Sequence, residues 1–328
     1  MITTYLRLVV GWRGKNLNAF CDKHDRLFKE ALKTGDHAEA VSHYYDMMGS
    51  LIAAYYGDGW HFAPPEFKRQ KREDSMRALH LRMGRLLELN DGCKVLDVGS
   101  GVGGITRRLA KEMGSECVGL TMSSEEVRQG NELTEKAGLA ERCSIVQGDC
   151  LAMPFENETF NRAYAIYALK YYRDMHDILA EVHRVLEPEG TFAAYCLCRS
   201  NTYDDSNEQH KRVASEFEYA CAMPTMHTEA QIIQAADDVG LELVSSEDIS
   251  TEWTWYHHWT NDRLLHWSIR SRFVRFMFKI GEGIRILPRG YSRFDSIFVG
   301  GTVRLIVEGG KMGVLEGSRL MLFRKPAL

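Results

Sequence analysis

A short apolar strand that runs directly into a glycine-rich turn constrains this chain more than any other feature. Residues 95–98 (Val-Leu-Asp-Val) lead into residues 99–104 (Gly-Ser-Gly-Val-Gly-Gly), after which the pattern is helical. Glycines permit the tight turn and the close approach of a ligand, and the helix N-terminus adds exposed N–H groups with a positive dipole. The turn therefore predicts a binding site, weighed against a glycine turn that only joins a strand to a helix.

Short β-branched runs alternate with helical segments after residue 92. They predict strands over residues 93–98, 117–120, 143–147, 160–166, 191–197, 241–249 and 315–324, and helices over 104–113, 124–136, 175–186, 210–221 and 228–239. Such alternation is typical of a parallel sheet with crossover helices. We predict a Rossmann-like, doubly wound α/β fold around a seven-stranded, mostly parallel sheet.

The chain is long enough for more than one domain. Its 328 residues exceed the usual rate of one domain per roughly 100–200 residues. We predict an N-terminal helical region over residues 1–90, an α/β core over 91–249, and a C-terminal region over 250–328 that holds a cap and the last strand. In the first region, helices are predicted over residues 23–32, 38–56 and 68–89.

Composition excludes several classes of protein. A formal net charge of -4 gives no general attraction for nucleic acid, which we do not expect as a partner. The 8 Cys have neither metal-site nor disulfide-scaffold spacing, so we expect no metal and a reduced, cytoplasmic setting. No apolar stretch reaches membrane-spanning length, and no signal peptide is recognised.

Two readings of the glycine turn remain. The G-x-G-x-x-G spacing of Gly99, Gly101 and Gly104 also suits a nicotinamide dinucleotide, but the acid expected about 20 residues on is missing. That position reads Leu120-Thr121-Met122. Asp97 before the turn, Gly148-Asp149 after the third strand and the run over residues 161–169 together resemble the Class I S-adenosylmethionine-dependent methyltransferases.

That resemblance implies S-adenosyl-L-methionine as cofactor and assigns residues to it. Asp97 would set the loop and face the methionine end, and the glycine loop would back the cofactor. Thr121 and Met122 would border the ribose and adenine, and Asp149 would accept a hydrogen bond from the adenine amino group. The full cofactor-binding set is Asp97, Gly99, Ser100, Gly101, Thr121, Met122, Asp149, Cys150 and Tyr164.

Short matching segments, most of them outside the nucleotide-binding fold, indicate the class of methyl acceptor. Over about residues 38–326 the chain resembles the sterol methyltransferase family, which implies a sterol substrate. The matching segments, in order, are residues 41–46, 60–62, 95–104, 203–210, 246–248, 255–256, 308–311 and 323–326. In the family's side-chain enzymes, which methylate carbon 24, four acids stand in such segments. Here these positions hold Ala53, Tyr167, Cys196 and Cys221.

The loss of those acids favours another acceptor carbon. Alkylation at carbon 24 passes through a carbocation that acids stabilise, whereas methylation at carbon 4 of a 3-keto sterol needs one base and a donor to an oxyanion. The chain resembles the family's nematode branch, which methylates carbon 4. Candidate bases are His61, Glu216 and Glu218; candidate oxyanion donors are Tyr167, Tyr171 and Tyr172. Asp58 could replace one missing acid, and each tyrosine could instead pack on the steroid rings.

A basic, aromatic segment over residues 263–293 could lie on an anionic membrane, or could pack on the fold and solvate its arginines. From this segment we expect a cytoplasmic protein that binds peripherally to the endoplasmic reticulum membrane. The rival functions are a carbon-24 methyltransferase, a methyltransferase for another lipid or small amphiphile, and a binding protein for a sterol or the cofactor that has lost catalysis. The oligomeric state is not predicted.

Overall fold

The helices and strands follow the predicted alternation. A computed structural model describes residues 9, 11–12, 14–57, 59, 61–250, 252–261, 267 and 271–327. Its helices are α1 Leu17–Thr34, α2 Ala38–Tyr56, α3 Arg72–Leu86, α4 Gly104–Met113, α5 Ser124–Lys136, α6 Met175–Val185, α7 Glu208–Ala220, α8 Glu229–Asp238, α9 His257–Asn261, α10 Arg272–Gly283, α11 Tyr291–Phe298 and α12 Gly300–Met312. Its strands are β1 Lys94–Val98, β2 Glu116–Thr121, β3 Cys143–Gln147, β4 Phe160–Ile166, β5 Leu186–Arg199, β6 Glu242–Asp248 and β7 Leu315–Arg324.

The strands form one seven-stranded sheet in the order β3-β2-β1-β4-β5-β7-β6. The pairs β1–β2, β1–β4, β2–β3 and β4–β5 are parallel, and β6 pairs antiparallel with β7. The direction of winding reverses between β1 and β4, which is the topological switch point where doubly wound sheets bind ligands. The predicted Rossmann-like fold is confirmed.

The chain divides into two compact units. The core unit comprises His61–Asn201, His227–Trp255 and Glu316–Leu328, and the helical unit comprises Met1–Trp60, Thr202–Met226 and Tyr256–Leu315. The helical unit thus combines N-terminal helices with α7 and with α9 to α12. The division of the sequence at residues 90 and 249 stays a prediction.

Each unit has its own apolar core. In the core unit, Leu96, Ala163 and Phe192, which lie side by side on β1, β4 and β5, are fully buried with residues of α6 and α8. Side chains alternate along a strand, so Asp97, Tyr164 and Tyr195 project from the opposite face. In the helical unit, Leu17, Phe294 and Phe298 belong to a second buried cluster. No described helix has the length and apolar character to cross a membrane.

Several predicted boundaries were wrong. The helix predicted over residues 23–32 spans Leu17–Thr34, because the Asn16 side chain caps its start. The helix predicted over residues 68–89 is limited to Arg72–Leu86, because Lys71 is extended and Glu88 has a left-handed φ of 53°. Strand β5 begins at Leu186 rather than at residue 191, since Leu186 pairs with Phe160 beyond a register shift. The apolar run marks only the deeply buried part of that strand.

Candidate functional site

The glycine turn connects β1 to α4 and requires its glycines. Gly99, Gly101 and Gly103 have φ of 78°, 55° and 72°, in the left-handed region that side chains disfavour. The N–H groups of Gly99 and Ser100 donate to Leu120 O at 3.0 and 2.9 Å, which ties the turn to the end of β2. A Cβ atom on Gly99 would lie 2.6 Å from Cβ of Ala168. The turn is therefore held close to both neighbouring strands.

Asp97 places a buried carboxylate beneath this turn. Its Oδ2 accepts hydrogen bonds from Thr106 Oγ1 and the Tyr164 hydroxyl, both at 2.7 Å. Burial raises the pKa of Asp97 to about 6, against the lowering effect of both hydrogen bonds. The group is thus mainly ionised at pH 7 and suited to receive a cationic ligand group. Tyr164 holds this carboxylate in position, because its hydroxyl is donated to Asp97 Oδ2.

An acid that the sequence prediction missed stands near the end of β2. Thr121 Oγ1 donates to Glu126 Oε2 at 2.5 Å, and Glu126 Oε1 lies 3.9 Å from where a Cβ atom of Gly101 would stand. Ser123, the N-cap of α5, accepts a hydrogen bond from the Glu126 N–H. The signal was available, because Ser123-x-x-Glu126 has the form of a capping box.

The remaining cofactor candidates follow β2 and β3. The Met122 side chain is exposed, and Asp149 accepts the Leu151 N–H at 2.9 Å. Cys150 is buried, and burial raises the pKa of its thiol to about 11, so the thiol stays protonated. The carboxyl ends of adjacent parallel strands lie along one edge of a sheet. The structure therefore brings the candidates from β1, β2, β3 and β4 to a common edge.

A cavity lies at the ends of β4 and β5. Its empty space of about 260 Å³ includes open solvent at the mouth, so it is a small, open cavity that does not enclose the roughly 300–1,000 Å³ usual for ligand pockets. Two lining residues, Tyr167 and Cys196, are positions at which the resemblance implies acids in the side-chain enzymes. No carboxylate is among the lining residues that the structure describes. They are Tyr167, Leu169, Lys170, Met175, Cys196, Leu197, His227 and Ile232.

A lysine that the sequence prediction did not single out supplies the charge of this cavity. Lys170 Nζ lies 5.1 Å from the ring centroid of Tyr167 and 5.0 Å from that of Tyr171. Both distances are within cation–π range. Lys170 belongs to a short 3-10 helix, Leu169–Tyr171, directly after β4. The sequence places Lys170 between Tyr167 and Tyr171, but only the folded structure shows that its ammonium group lies at the cavity.

Tyr167 is held rigidly by its surroundings. It is a non-glycine residue with a φ of 57°, its ring stacks on Tyr195 at 5.4 Å, and its hydroxyl donates to Gly317 O. The hydroxyl is therefore already engaged and is not available as a donor to a ligand oxygen. The Tyr195 hydroxyl is buried with no hydrogen-bond partner among the described residues. Tyr171 and Tyr172 are half-buried.

The candidate base His61 is buried in the core unit, 2% exposed. Its Nδ1 lies 2.9 Å from Phe62 O, and its Nε2 lies 2.7 Å from Nε2 of His80. Because a carbonyl only accepts, Nδ1 of His61 carries the proton, and His80 donates to the Nε2 lone pair. Burial, with smaller effects of Arg108 and Lys170, lowers the pKa of His61 to about 4, so the ring is neutral at pH 7.

The other two candidate bases lie on α7 in the helical unit and face different surroundings. Glu216 is exposed and pairs with Arg212 at 3.1 Å. Glu218 is buried and accepts the Met226 N–H at 2.9 Å. Cys221, just after this helix, is buried. The Ala53 side chain and Asp58 lie outside the described residues.

Comparisons with known proteins identify relatives over nearly the whole chain. Residues 89–264 match a family described as a methyltransferase domain. Sterol 4-C-methyltransferase strm-1 of Caenorhabditis elegans is 37% identical, over 99% of this chain and 98% of the relative. Cycloartenol-C-24-methyltransferase 1 of Oryza sativa subsp. japonica is 32% identical, over 91% of this chain and 88% of the relative.

Solved structures are similar in fold. Geranyl diphosphate C-methyltransferase from Streptomyces coelicolor A3(2), in complex with Mg2+, geranyl diphosphate and S-adenosyl-L-homocysteine, superposes with a TM-score of 0.63 at 17% identity. The match covers 88% of this chain and 97% of that one. The [4+2]-cyclase SpnF reaches 0.66 at 19% identity, over 89% and 97%. Likeness at this identity supports the fold alone.

Proposed function

The chain belongs to the S-adenosylmethionine-dependent sterol methyltransferases, and from this premise we propose that it methylates ring carbon 4 of a 3-keto sterol through an enolate. The relative from Caenorhabditis elegans, 37% identical over almost the full length, carries the name of a 4-C-methyltransferase. The cavity at the ends of β4 and β5 independently supports methylation at carbon 4, because its described lining residues include a lysine and no carboxylate.

The edge of the sheet near the glycine turn fits the cofactor. When bound, S-adenosylmethionine supplies a methyl group that its positively charged sulfur has already activated. Asp97 would receive the ammonium group, and the backbone of Gly99 to Gly101 would lie against the methionine portion. Glu126 would accept hydrogen bonds from the ribose hydroxyls, in place of the acid that is missing at the end of β2. Asp149 would bind the adenine amino group, bordered by Met122 and Cys150.

The observation that carries the proposal is the sign of the charge at the cavity. A carbocation on a sterol side chain would be stabilised by carboxylates, and the described lining residues include none. An enolate oxygen is stabilised by cations and hydrogen-bond donors, and Lys170 is a lining residue with its ammonium over two tyrosine rings. Lys170 would therefore hold the oxyanion, with Tyr171 as a further donor, whereas the Tyr172 hydroxyl already interacts with the Cys150 side chain.

We propose His61 as the base that removes the proton from carbon 4. The C–H electron pair would move toward the carbonyl oxygen, and the proton would go to Nε2 of His61. Support comes from the position of His61 in the core unit, where its ring lies 6.2 Å from that of the cavity residue Tyr167. The hydrogen bond that His80 donates to Nε2 of His61 would have to break first, so that the Nε2 lone pair can accept the proton. Tyr167 would pack on the steroid rings, since its hydroxyl is already donated to Gly317 O.

Product analysis tests the proposal. The protein is incubated with labelled S-adenosylmethionine and 3-hydroxy or 3-keto sterols, with and without a carbon-24 double bond, and products are identified by mass spectrometry. We expect a methyl group on carbon 4 with 3-keto sterols alone. A methylated side chain would contradict the proposal in favour of carbon-24 chemistry, and no sterol product would favour another lipid acceptor or a silent binding protein.

A lysine variant tests the charge argument. Lys170→Gln should lower turnover by about 10²-fold, the usual loss for one oxyanion donor, with cofactor affinity unchanged. Lys111→Gln, an exposed lysine on α4, is the control and should retain full turnover. Unaltered turnover in Lys170→Gln would remove Lys170 from the reaction.

The proposal includes a location. A sterol substrate resides in membranes, so the protein would work in the cytoplasm as a peripheral protein of the endoplasmic reticulum membrane. All eight cysteines are free thiols, which is typical of a reducing compartment. Membrane contact would come from the basic, aromatic segment over residues 263–293, of which residues 263–266 and 268–270 lie outside the described residues.

A further inference from the structure

Helix α10 has an apolar face that the fold leaves exposed. The side chains of Phe273, Phe276, Met277 and Ile280, together with Ile284 just past the helix end, are between 39% and 63% exposed. Positions three and four apart share one face of a helix. These five residues therefore form one continuous apolar stripe, which we name the α10 face.

The α10 face is distinct from the side by which the helix is anchored. Phe278 packs edge-on against Tyr291 at 5.1 Å, and Gly281 is buried where a Cβ atom would lie 2.9 Å from the Leu287 side chain. The helix thus already has a core-facing side. The stripe is a second apolar surface, on a different side of the helix.

Exposed cations flank the α10 face. Arg272, Arg275 and Lys279 are exposed on the same helix. These three cations outnumber the two acids that attract them, since Glu282 interacts with Lys279 and the buried Asp295 with Arg275. Glu282 also accepts the N–H groups of Gly290 at 2.8 Å and Ser292 at 2.6 Å. The flank therefore keeps a positive charge beside the exposed apolar side chains.

We propose that the α10 face docks on an anionic lipid bilayer, with the helix in the plane of the interface. Apolar side chains bordered by cations match the acyl boundary and the headgroups respectively. At about 1.5 Å per residue, the 12 residues of α10 are too short to span a bilayer. Docking would bring the protein to a sterol substrate in the membrane. This role of docking rests on the proposed function, whereas the docking itself does not.

A second copy of the chain fits the α10 face less well. A two-fold interface joins a surface to itself, so the cations of Arg272, Arg275 and Lys279 would gather with those of the partner. Such juxtaposition of like charges is unfavourable. Anionic headgroups would instead complement this flank, which favours lipid as the occupant.

Vesicle sedimentation tests the docking. Phosphatidylcholine vesicles are compared with vesicles that contain phosphatidylcholine and phosphatidylserine in a roughly 3:1 ratio, at low and high salt. We expect the full-length protein to bind the second kind, less at high salt. Phe273→Ser with Phe276→Ser and Ile280→Ser, or Arg272→Gln with Lys279→Gln, should each weaken binding about tenfold or more. Leu32→Ser with Phe67→Ser, two exposed apolar residues outside the α10 face, is the matched control.

Several outcomes would overturn the proposal. They are absence of binding by the unaltered protein, equal binding by the serine variant and the control, or a change from dimer to monomer in the serine variant, which would assign the face to a second copy. Turnover of detergent-dispersed 3-keto sterol is measured in parallel. It should be unchanged in all variants, and its complete absence would sink the proposed function while leaving the vesicle result to stand.

Discussion

Asp97 holds its charge where ionisation of a carboxyl group is costly. Burial raises its pKa to about 6 from an ordinary value of 3.8. The folded protein therefore loses stability as the pH rises from about 3.8 through 6, because the unfolded chain ionises this group more easily. A cationic ligand group would offset that loss. The residue that would bind the cofactor thus destabilises the protein without it.

Removal of this charge should separate stability from binding. Asp97→Asn keeps an oxygen for the Thr106 and Tyr164 donors, so we expect the free energy of unfolding at pH 8 to rise by up to about 3 kcal/mol. Cofactor affinity, measured by calorimetry, should fall about 100-fold, the cost of losing a charged partner.

Asp295 is the matched control for Asp97. It lies in the helical unit, and burial raises its pKa to about 6 as well. Asp295→Asn should stabilise the protein at pH 8 and leave cofactor binding intact. If both variants lost affinity equally, the assignment of Asp97 to the cofactor would be wrong.

A second pair of variants tests which residue is the base that removes the carbon-4 proton. His61→Ala should lower turnover by about 10²-fold or more, the usual contribution of a general base, whereas Glu218→Gln should not. Because the pKa of His61 is lowered to about 4, the rate should show no histidine-dependent loss between pH 8 and about 5. Steady-state kinetics at saturating cofactor measures both effects. The reverse ranking of the variants would transfer the role to Glu218.

Elements with strong local signals were predictable to the residue. Helices α4 and α5 and strands β3, β4 and β7 have the predicted bounds, because glycine turns or capping residues mark their ends. Side-chain partners that are distant in sequence could not be predicted. The Tyr167 hydroxyl meets Gly317 O, and His61 meets His80, through packing that no local pattern contains. Hence the sequence predicted that the cofactor candidates meet at one edge of the sheet, whereas it did not single out Lys170 or Glu126.

The glycine turn should respond unequally to added methyl groups. Gly99→Ala would place Cβ 2.6 Å from Cβ of Ala168, whereas a Cβ atom on Gly101 meets nothing nearer than Glu126 at 3.9 Å. Both changes cost about 1 kcal/mol for the left-handed backbone, so Gly99→Ala should be more destabilising through its clash. Chemical denaturation measures the difference.

A double variant isolates that clash. Ala168→Gly removes the opposing methyl group and should restore part of the stability lost in Gly99→Ala, with little benefit in Gly101→Ala. Additive effects in the Gly99 pair would show that the two strands can separate at this point, contrary to the described turn.

Over the whole molecule, buried histidines and buried acids oppose one another. His24 in the helical unit and His61 in the core unit each have a pKa lowered to about 4 by burial. Each unit also holds one aspartate with a pKa raised to about 6. As the pH falls from 6.5 to 4, the unfolded chain binds protons at the histidines first, so stability is lost. Over nearly the same range the folded protein binds protons first at the aspartates, so stability is gained.

This opposition predicts how the pH dependence of unfolding changes when the acids are removed. With both Asp97→Asn and Asp295→Asn, the two aspartates no longer oppose the histidine effect, and stability should fall more steeply from pH 6.5 to pH 4 than in the unaltered protein. Each histidine proton that only the unfolded chain binds corresponds to about 1.4 kcal/mol per pH unit at most, and the buried His80, whose pKa burial also lowers, adds to the effect of His24 and His61. Urea unfolding across this range measures both slopes. Parallel curves would mean that the two aspartates ionise in the folded protein as easily as in the unfolded chain, and the stability gained by Asp97→Asn at pH 8 would then have to be absent as well.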